Sequence, residues 1–117
     1  MTGSKQRLGQ WGEDLAALEY ERLGLRLVDR NWRVNEGEID IIAAVDSTST
    51  IVFCEVKTRS SDRFGTGAES VTVAKQRQVR KVALLWLGQC GSRFDNIRFD
   101  VASVNGAGDV ELIEDCF

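Results

Sequence analysis

Two apolar runs of strand length stand back to back near the middle of the chain. The first is Ile39-Asp40-Ile41-Ile42-Ala43-Ala44-Val45, and the second is Ile51-Val52-Phe53-Cys54-Glu55-Val56. The polar segment Asp46-Ser47-Thr48-Ser49-Thr50 separates them, which is the pattern of a β-hairpin. With Asp46 to Ser49 as the loop, Val45 faces Thr50, Ala43 faces Val52, Ile41 faces Cys54 and Ile39 faces Val56. That face is apolar throughout. On the other face Ala44 meets Ile51 and Ile42 meets Phe53; Asp40 then meets Glu55, and Glu38 meets Lys57. A register one residue off would divide the apolar set between the two faces.

The flanking segments give the rest of the element order. Gly9 to Asp14 lead into Leu15–Leu23, where Leu8, Trp11, Leu15 and Leu18 fall on one helical stripe and Gly24 is a stop signal. Leu25–Val28 and Asn31–Val34 read as a first strand with a bend, followed by an Asn35-Glu36-Gly37 turn. After the hairpin, residues 58 to 70 are rich in Ser, Gly and charge and lack periodicity. Thr72 is a cap candidate for a helix running to about Leu87, with Gly88 beyond it and Val79, Val82, Ala83 and Trp86 as its buried stripe. Asn96–Val101 alternates as a strand, Asn105-Gly106-Ala107-Gly108 is a turn, and Val110–Ile113 closes a last strand. The order is helix, three strands, helix, two strands, within one domain spanning 1–117.

Composition removes several chemistries. The chain has 117 residues and no histidine. Ser-His-Asp and Cys-His nucleophile systems are therefore excluded. The three cysteines, Cys54, Cys90 and Cys116, are scattered and odd in number. They suit neither a disulfide framework nor a zinc cluster, and they point to a reducing cytoplasm; Cys54 reads as a core residue. No apolar run reaches membrane-spanning length, and the first residues lack the apolar core of a signal peptide.

Net charge is -3, but it is unevenly spread. Between Lys57 and Lys81 lie seven basic residues and two acidic ones, a surplus of +5, so the remainder carries -8. A basic patch on an acidic body is compatible with a phosphate-backbone footprint, and equally with a solvated helix face.

Asp40, Glu55 and Lys57 interrupt runs otherwise built for burial, where charge is costly unless paired or metal-bound. Opposed carboxylates with Cβ atoms about 4.5–5.5 Å apart repel unless a cation or proton lies between them. Mg²⁺ suits such a site, because it takes oxygen ligands and binds one or two carboxylates with water or phosphate. Glu13 sits off the first helix's apolar stripe, beside Gly9, Ala16, Ala17 and Tyr20. Taken alone, that segment favours a plain dipole-stabilising role for it. Lys75 and Gln76 share the stripe of the second helix, facing the sheet or snorkelling out of the first turn.

These residues together resemble a known family. Gly12-Glu13, Asn31-Trp32-Arg33, Gly37-Glu38-Ile39-Asp40, Phe53-Cys54-Glu55-Val56-Lys57-Thr58-Arg59, Val71-Thr72 with Lys75-Gln76-Arg77, and Arg98-Phe99-Asp100-Val101 look like the YraN family of small bacterial proteins. That family resembles the restriction-endonuclease-like superfamily and, within it, the archaeal Holliday-junction resolvases. The superfamily motif is Pro-Asp followed by Asp or Glu, one residue, and Lys. Asp40 matches the first acid and Glu55-Val56-Lys57 the second block, while Ile39 stands where the proline would be.

The resemblance implies an α/β domain with a central mixed five-stranded sheet flanked by helices. It implies a Mg²⁺ or Mn²⁺ site made by Asp40, Glu55 and the Val56 carbonyl, with Lys57 and Glu13 completing the catalytic set. Arg59, Arg63, Lys75, Gln76 and Arg77 would contact nucleic acid, DNA in the first instance. The implied activity is metal-dependent DNA cleavage, at branched or junction DNA by analogy with the resolvases, in a homodimer. Two alternatives stay open: a non-catalytic nucleic-acid-binding module, and a protein-interaction domain docking through the hairpin's apolar face.

Overall fold

A computed structural model of the chain describes residues 2–60 and 71–117, with side chains from Arg7 onward. The elements are α1 (Thr2–Arg22), β1 (Arg26–Val34), β2 (Gly37–Val45), β3 (Thr50–Thr58), α2 (Val73–Gln89), β4 (Asn96–Val104) and β5 (Val110–Ile113). A short 3-10 turn, Asp46–Thr48, joins β2 to β3. The strands form one sheet in the order β1-β2-β3-β4-β5. All neighbours are antiparallel except β3 and β4, which run parallel. A parallel pair needs a crossover, and α2 lies within it. This is the mixed five-stranded, restriction-endonuclease-like α/β arrangement.

The central hairpin has the register that its pattern dictates, from Val45↔Thr50 to Ile41↔Cys54. Both of its faces are covered. Ile41, Ala43, Val52 and Cys54 pack with Ala16, Ala17 and Tyr20 of α1. Ile42, Ala44, Ile51 and Phe53 pack with Val82, Ala83 and Trp86 of α2. The continuous apolar run of β3 follows from this, because a strand buried on both faces cannot alternate.

The second helix matches its reading. Thr72 caps it, its hydroxyl accepting the Lys75 amide at 3.1 Å, and the buried stripe is Val79, Val82, Ala83 and Trp86. The helix runs two residues further than its sequence suggests, to Gln89, and Gly91 rather than Gly88 takes the left-handed conformation at φ 74.

The first helix corrects its reading. The Leu8, Trp11, Leu15, Leu18 stripe does not face the sheet: Trp11 is 38% exposed and Leu18 61%. The buried face is instead Gly12, Ala16, Ala17 and Tyr20. Small side chains let the helix lie close to the strands. The contact is tightest at Gly12, where an added Cβ would come 2.0 Å from Thr58 Oγ1 and 2.9 Å from Thr58 Cβ. The helix stops at Gly24 (φ 89), with the Leu25 amide donating to the Tyr20 carbonyl at 3.0 Å, as left-handed glycine termini do.

A buried polar knot ties this helix to β4. Asp100 is 0% exposed. It accepts the Tyr20 hydroxyl at 2.7 Å, two Arg98 bonds at 3.0 and 2.9 Å, and the Asp115 amide at 2.9 Å. Each lone pair used in this way offsets the cost of burying the charge.

Candidate metal centre and nucleic-acid interface

The site forms where the central ladder ends. Pairing of β2 with β3 stops at Ile41↔Cys54. Beyond that point β2 continues along β1, through Ile39↔Trp32 and Glu38↔Arg33. Meanwhile β3 continues along β4, through Glu55↔Val101 and Lys57↔Ser103. The expected ladder pairs Asp40–Glu55, Ile39–Val56 and Glu38–Lys57 are therefore absent. Ile39 joins the α2-side cluster with Trp32, whereas Val56 packs on the α1 side.

The neighbouring strand departs from regular geometry at the same level. Asn31, opposite Asp40 in the β1 register, has φ 52, a left-handed conformation that Asn tolerates better than bulkier residues.

The acids still meet, by another route. Asp40 Oδ2 accepts the Val56 amide at 2.8 Å, across the end of the ladder. A strand points the N–H and C=O of one residue to the same side, so the Val56 carbonyl is directed into the same opening. Glu55 is buried, with 7% of its surface exposed. Lys75 Nζ lies 3.7 Å and Lys57 Nζ 4.0 Å from the same Glu55 oxygen. These are ion-pair contacts at the outer limit rather than tight hydrogen bonds. Glu38 pairs with Arg33, which corrects its assignment to Lys57, and it stays beside Asp40, whose pKa it helps to raise.

Electrostatics mark the acids as under-compensated. Burial, then the neighbouring Asp40 carboxylate, raises the Glu55 pKa to about 7, despite both lysines. Burial raises Asp40 to about 6, the Val56 amide only partly opposing it. Glu13 is raised too, first by burial and then by Asp40, with the Asn31 side chain opposing. One buried oxygen of Glu13 has no hydrogen-bond partner among the described residues. So α1 does bring Glu13 towards the acids, through the close seat at Gly12.

This donor set fits a hard divalent cation: two carboxylates that favour added positive charge, a directed carbonyl and an unspent carboxylate oxygen. Among the described residues no three His, Cys, Asp or Glu side chains form a ready-made cluster, so the two carboxylates would need the carbonyl and water or phosphate to complete a shell.

The expected nucleic-acid contacts divide. Lys75 faces Glu55. Gln76 spends its amide on the Val71 carbonyl at 3.1 Å. Arg77 is exposed. Arg59 is half-buried, and its Nε lacks a hydrogen-bond partner among the described residues. Arg63 lies outside the described residues. Cys54, fully buried with its thiol pKa pushed well up by burial, is the core residue its setting implied. Asn31 is the participant that pattern reading missed. An Asn in mid-strand opposite an acid, in a residue class depleted from strands, was the available signal.

The sequence profile of an uncharacterised protein family, UPF0102, matches residues 12–104. A UPF0102 protein of Mycolicibacterium gilvum is 45% identical over 103 residues, covering 88% of this chain and 84% of that protein. One from Nocardia farcinica is 48% identical over 102 residues, covering 87% and 79%. One from Rhodococcus jostii is 44% identical over 114 residues, covering 94% and 95%. No helix among the described residues is long and apolar enough to cross a membrane.

Proposed function

This chain belongs to the UPF0102 family, and on that footing we propose that it is a divalent-metal-dependent endonuclease that hydrolyses DNA phosphodiester bonds. The observation that carries the reading is the pairing of half-buried Asp40 with buried Glu55 at the open end of the β2–β3 ladder, with two lysines leaning on one Glu55 oxygen.

Asp40, Glu55 and the Val56 carbonyl would hold Mg²⁺ or Mn²⁺. When bound, such a cation activates water and stabilises charge on phosphoryl oxygens. Lys57 is half-exposed, on the rim of the acid pair. It would orient the attacking water and offset charge on the phosphate. Lys75 approaches the same oxygen from the first turn of α2, and would draw a non-bridging phosphate oxygen towards the site. Glu13 would take up a water proton or complete the oxygen shell. The basic surplus between Lys57 and Lys81 gives the strand an electrostatic landing surface. Cutting both strands of a branch requires two such sites, so a homodimer belongs to the proposal, and equilibrium sedimentation tests it.

The central experiment incubates the purified protein with linear, single-stranded and four-way-junction DNA in Mg²⁺, Mn²⁺ or EDTA. Cleavage should require metal and should fall at least 100-fold in both Asp40→Ala and Lys57→Ala, on the order of effects seen when charge-stabilising groups are removed. Salt-sensitive binding without cleavage would instead make the chain a non-catalytic nucleic-acid module. Neither binding nor cleavage on any substrate would end both readings.

A further inference from the structure

The unused apolar stripe of α1 borders a groove. Arg7, Leu8, Trp11, Ser60 and Gly106 line it, around a shallow, largely open volume of about 420 Å³. That volume lies within the range of small-ligand sites, roughly 300–1,000 Å³. Trp11 is held by its edge. An added Cβ on Gly108, which has φ 88, would lie 3.4 Å from Trp11 Cζ2, so the β4–β5 turn braces one side of the indole. Trp11 as a whole is 38% exposed, and it lines the groove. Arg7 is exposed and forms no ion pair among the described residues.

The groove is linked to the acid site through the chain, with Trp11 and Glu13 on either side of Gly12 along α1. Trp11 precedes Gly12, whose Cα seats against Thr58. Glu13 follows on the same helix. Ser60 lies three residues beyond Lys57 on the chain leaving β3. A flat, partly open indole beside a guanidinium matches a nucleobase and its phosphate. Aromatic rings bind bases through faces that every base possesses, and cations hold the backbone. A base paired inside a duplex cannot present its face to such a wall, whereas an unpaired one can.

We propose that this groove holds one unpaired nucleotide of a DNA strand entering the acid site, its base stacked on Trp11 and its phosphate beside Arg7. The inference rests on the nuclease reading and narrows it to substrates with an unpaired segment: flaps, gaps, single strands or opened junctions. Duplex without such a segment leaves the groove empty.

The test reads binding in EDTA, so that cleavage plays no part. Short oligodeoxythymidylate should quench tryptophan emission, since Trp86 is buried, Trp32 is half-buried and Trp11 is the most exposed of the three. Trp11→Leu, which keeps an apolar contact with the turn, should weaken oligodeoxythymidylate binding about tenfold. Trp11→Phe should recover most of the loss, and duplex binding should change less than twofold in both. Arg7→Ala should weaken single-strand binding and reduce its salt dependence by about one counterion. Equal single-strand affinity in Trp11→Leu and wild type would overturn the inference, even with cleavage intact. Equal losses for Phe and Leu would overturn it too, because the effect would then be packing rather than stacking. A wild-type protein that binds no DNA in any form would overturn it together with the nuclease reading.

Discussion

At Glu55, position and charge oppose each other. The carboxylate is buried among apolar strands, and it has two lysines near one oxygen and Asp40 as a second negative neighbour. Its folded pKa is raised to about 7 from 4.5, and that of Asp40 to about 6 from 3.8. The folded protein therefore keeps protons that the unfolded chain has released. The pair's contribution to stability is full below about pH 4 and is lost as pH rises through 6 to 7. In EDTA, Glu55→Gln should raise stability at pH 8 by on the order of 2–3 kcal/mol and flatten the decline between pH 5 and pH 8. Thermal melts across pH check both. Mg²⁺ should raise the wild-type melting temperature at pH 8 and leave Glu55→Gln nearly unmoved, since a ligand stabilises only the state that binds it. A wild type whose EDTA melts do not change across this range would contradict the account of the acid pair.

Among the elements, α1 decides whether the site is complete, and its seat is a single glycine. Gly12→Ala gains about 1 kcal/mol of helix propensity, but its methyl would meet Thr58 Oγ1 at 2.0 Å and Thr58 Cβ at 2.9 Å. Rotating Thr58 relieves the first contact and not the second, so the clash should win, costing about 1–3 kcal/mol. Chemical denaturation should show this loss, and adding Thr58→Ala should return part of it. Retained stability in Gly12→Ala would mean that the helix stands further off the strands.

The same helix shows where the sequence was readable and where it was not. The central hairpin's register followed from its polar break, because a loop from Asp46 to Ser49 sets Val45 opposite Thr50 and fixes the pairs that follow. The buried stripe of α2 followed from 3.6-residue spacing. The face of α1 did not, because close packing selects small residues, and Gly12, Ala16 and Ala17 carry little hydrophobic signal beside Trp11, Leu15 and Leu18. The end of the ladder was hidden too. Asp40 and Glu55 were identified as a pair from sequence, but Asp40 accepts the Val56 amide instead of facing Glu55 across the ladder, and the left-handed conformation of Asn31 within β1 has no counterpart in a hydrophobic pattern.

For the molecule as a whole, the acids set into the sheet fall into two groups. Asp100 is buried and fully served by Tyr20, Arg98 and the Asp115 amide, so it joins α1, β4 and the chain after β5. Glu55 is buried and Asp40 half-buried, and both are poorly served. Asp100→Ala would strand the Arg98 charge and the Tyr20 hydroxyl and should cost about 3–5 kcal/mol. Urea unfolding measures that loss. The Mg²⁺-induced melting shift should persist in the variant, because its acids are untouched. Loss of the shift would mean that the two groups are one coupled network.

The parallel β3–β4 pair also sets an order of assembly. Partners in the β1-β2-β3 meander are at most 18 residues apart in sequence, as Arg26 and Ala44 are. Partners across the crossover are 46 apart, as Thr50 and Asn96 are. Contacts between distant residues close more slowly, because more chain entropy is lost before any gain. Asp40 and Glu55 share the local hairpin, while Lys75 arrives with the late crossover. A refolding chain thus brings its two negative charges together with only Lys57 beside them, before the second lysine arrives, and acid or divalent salt should ease that early step.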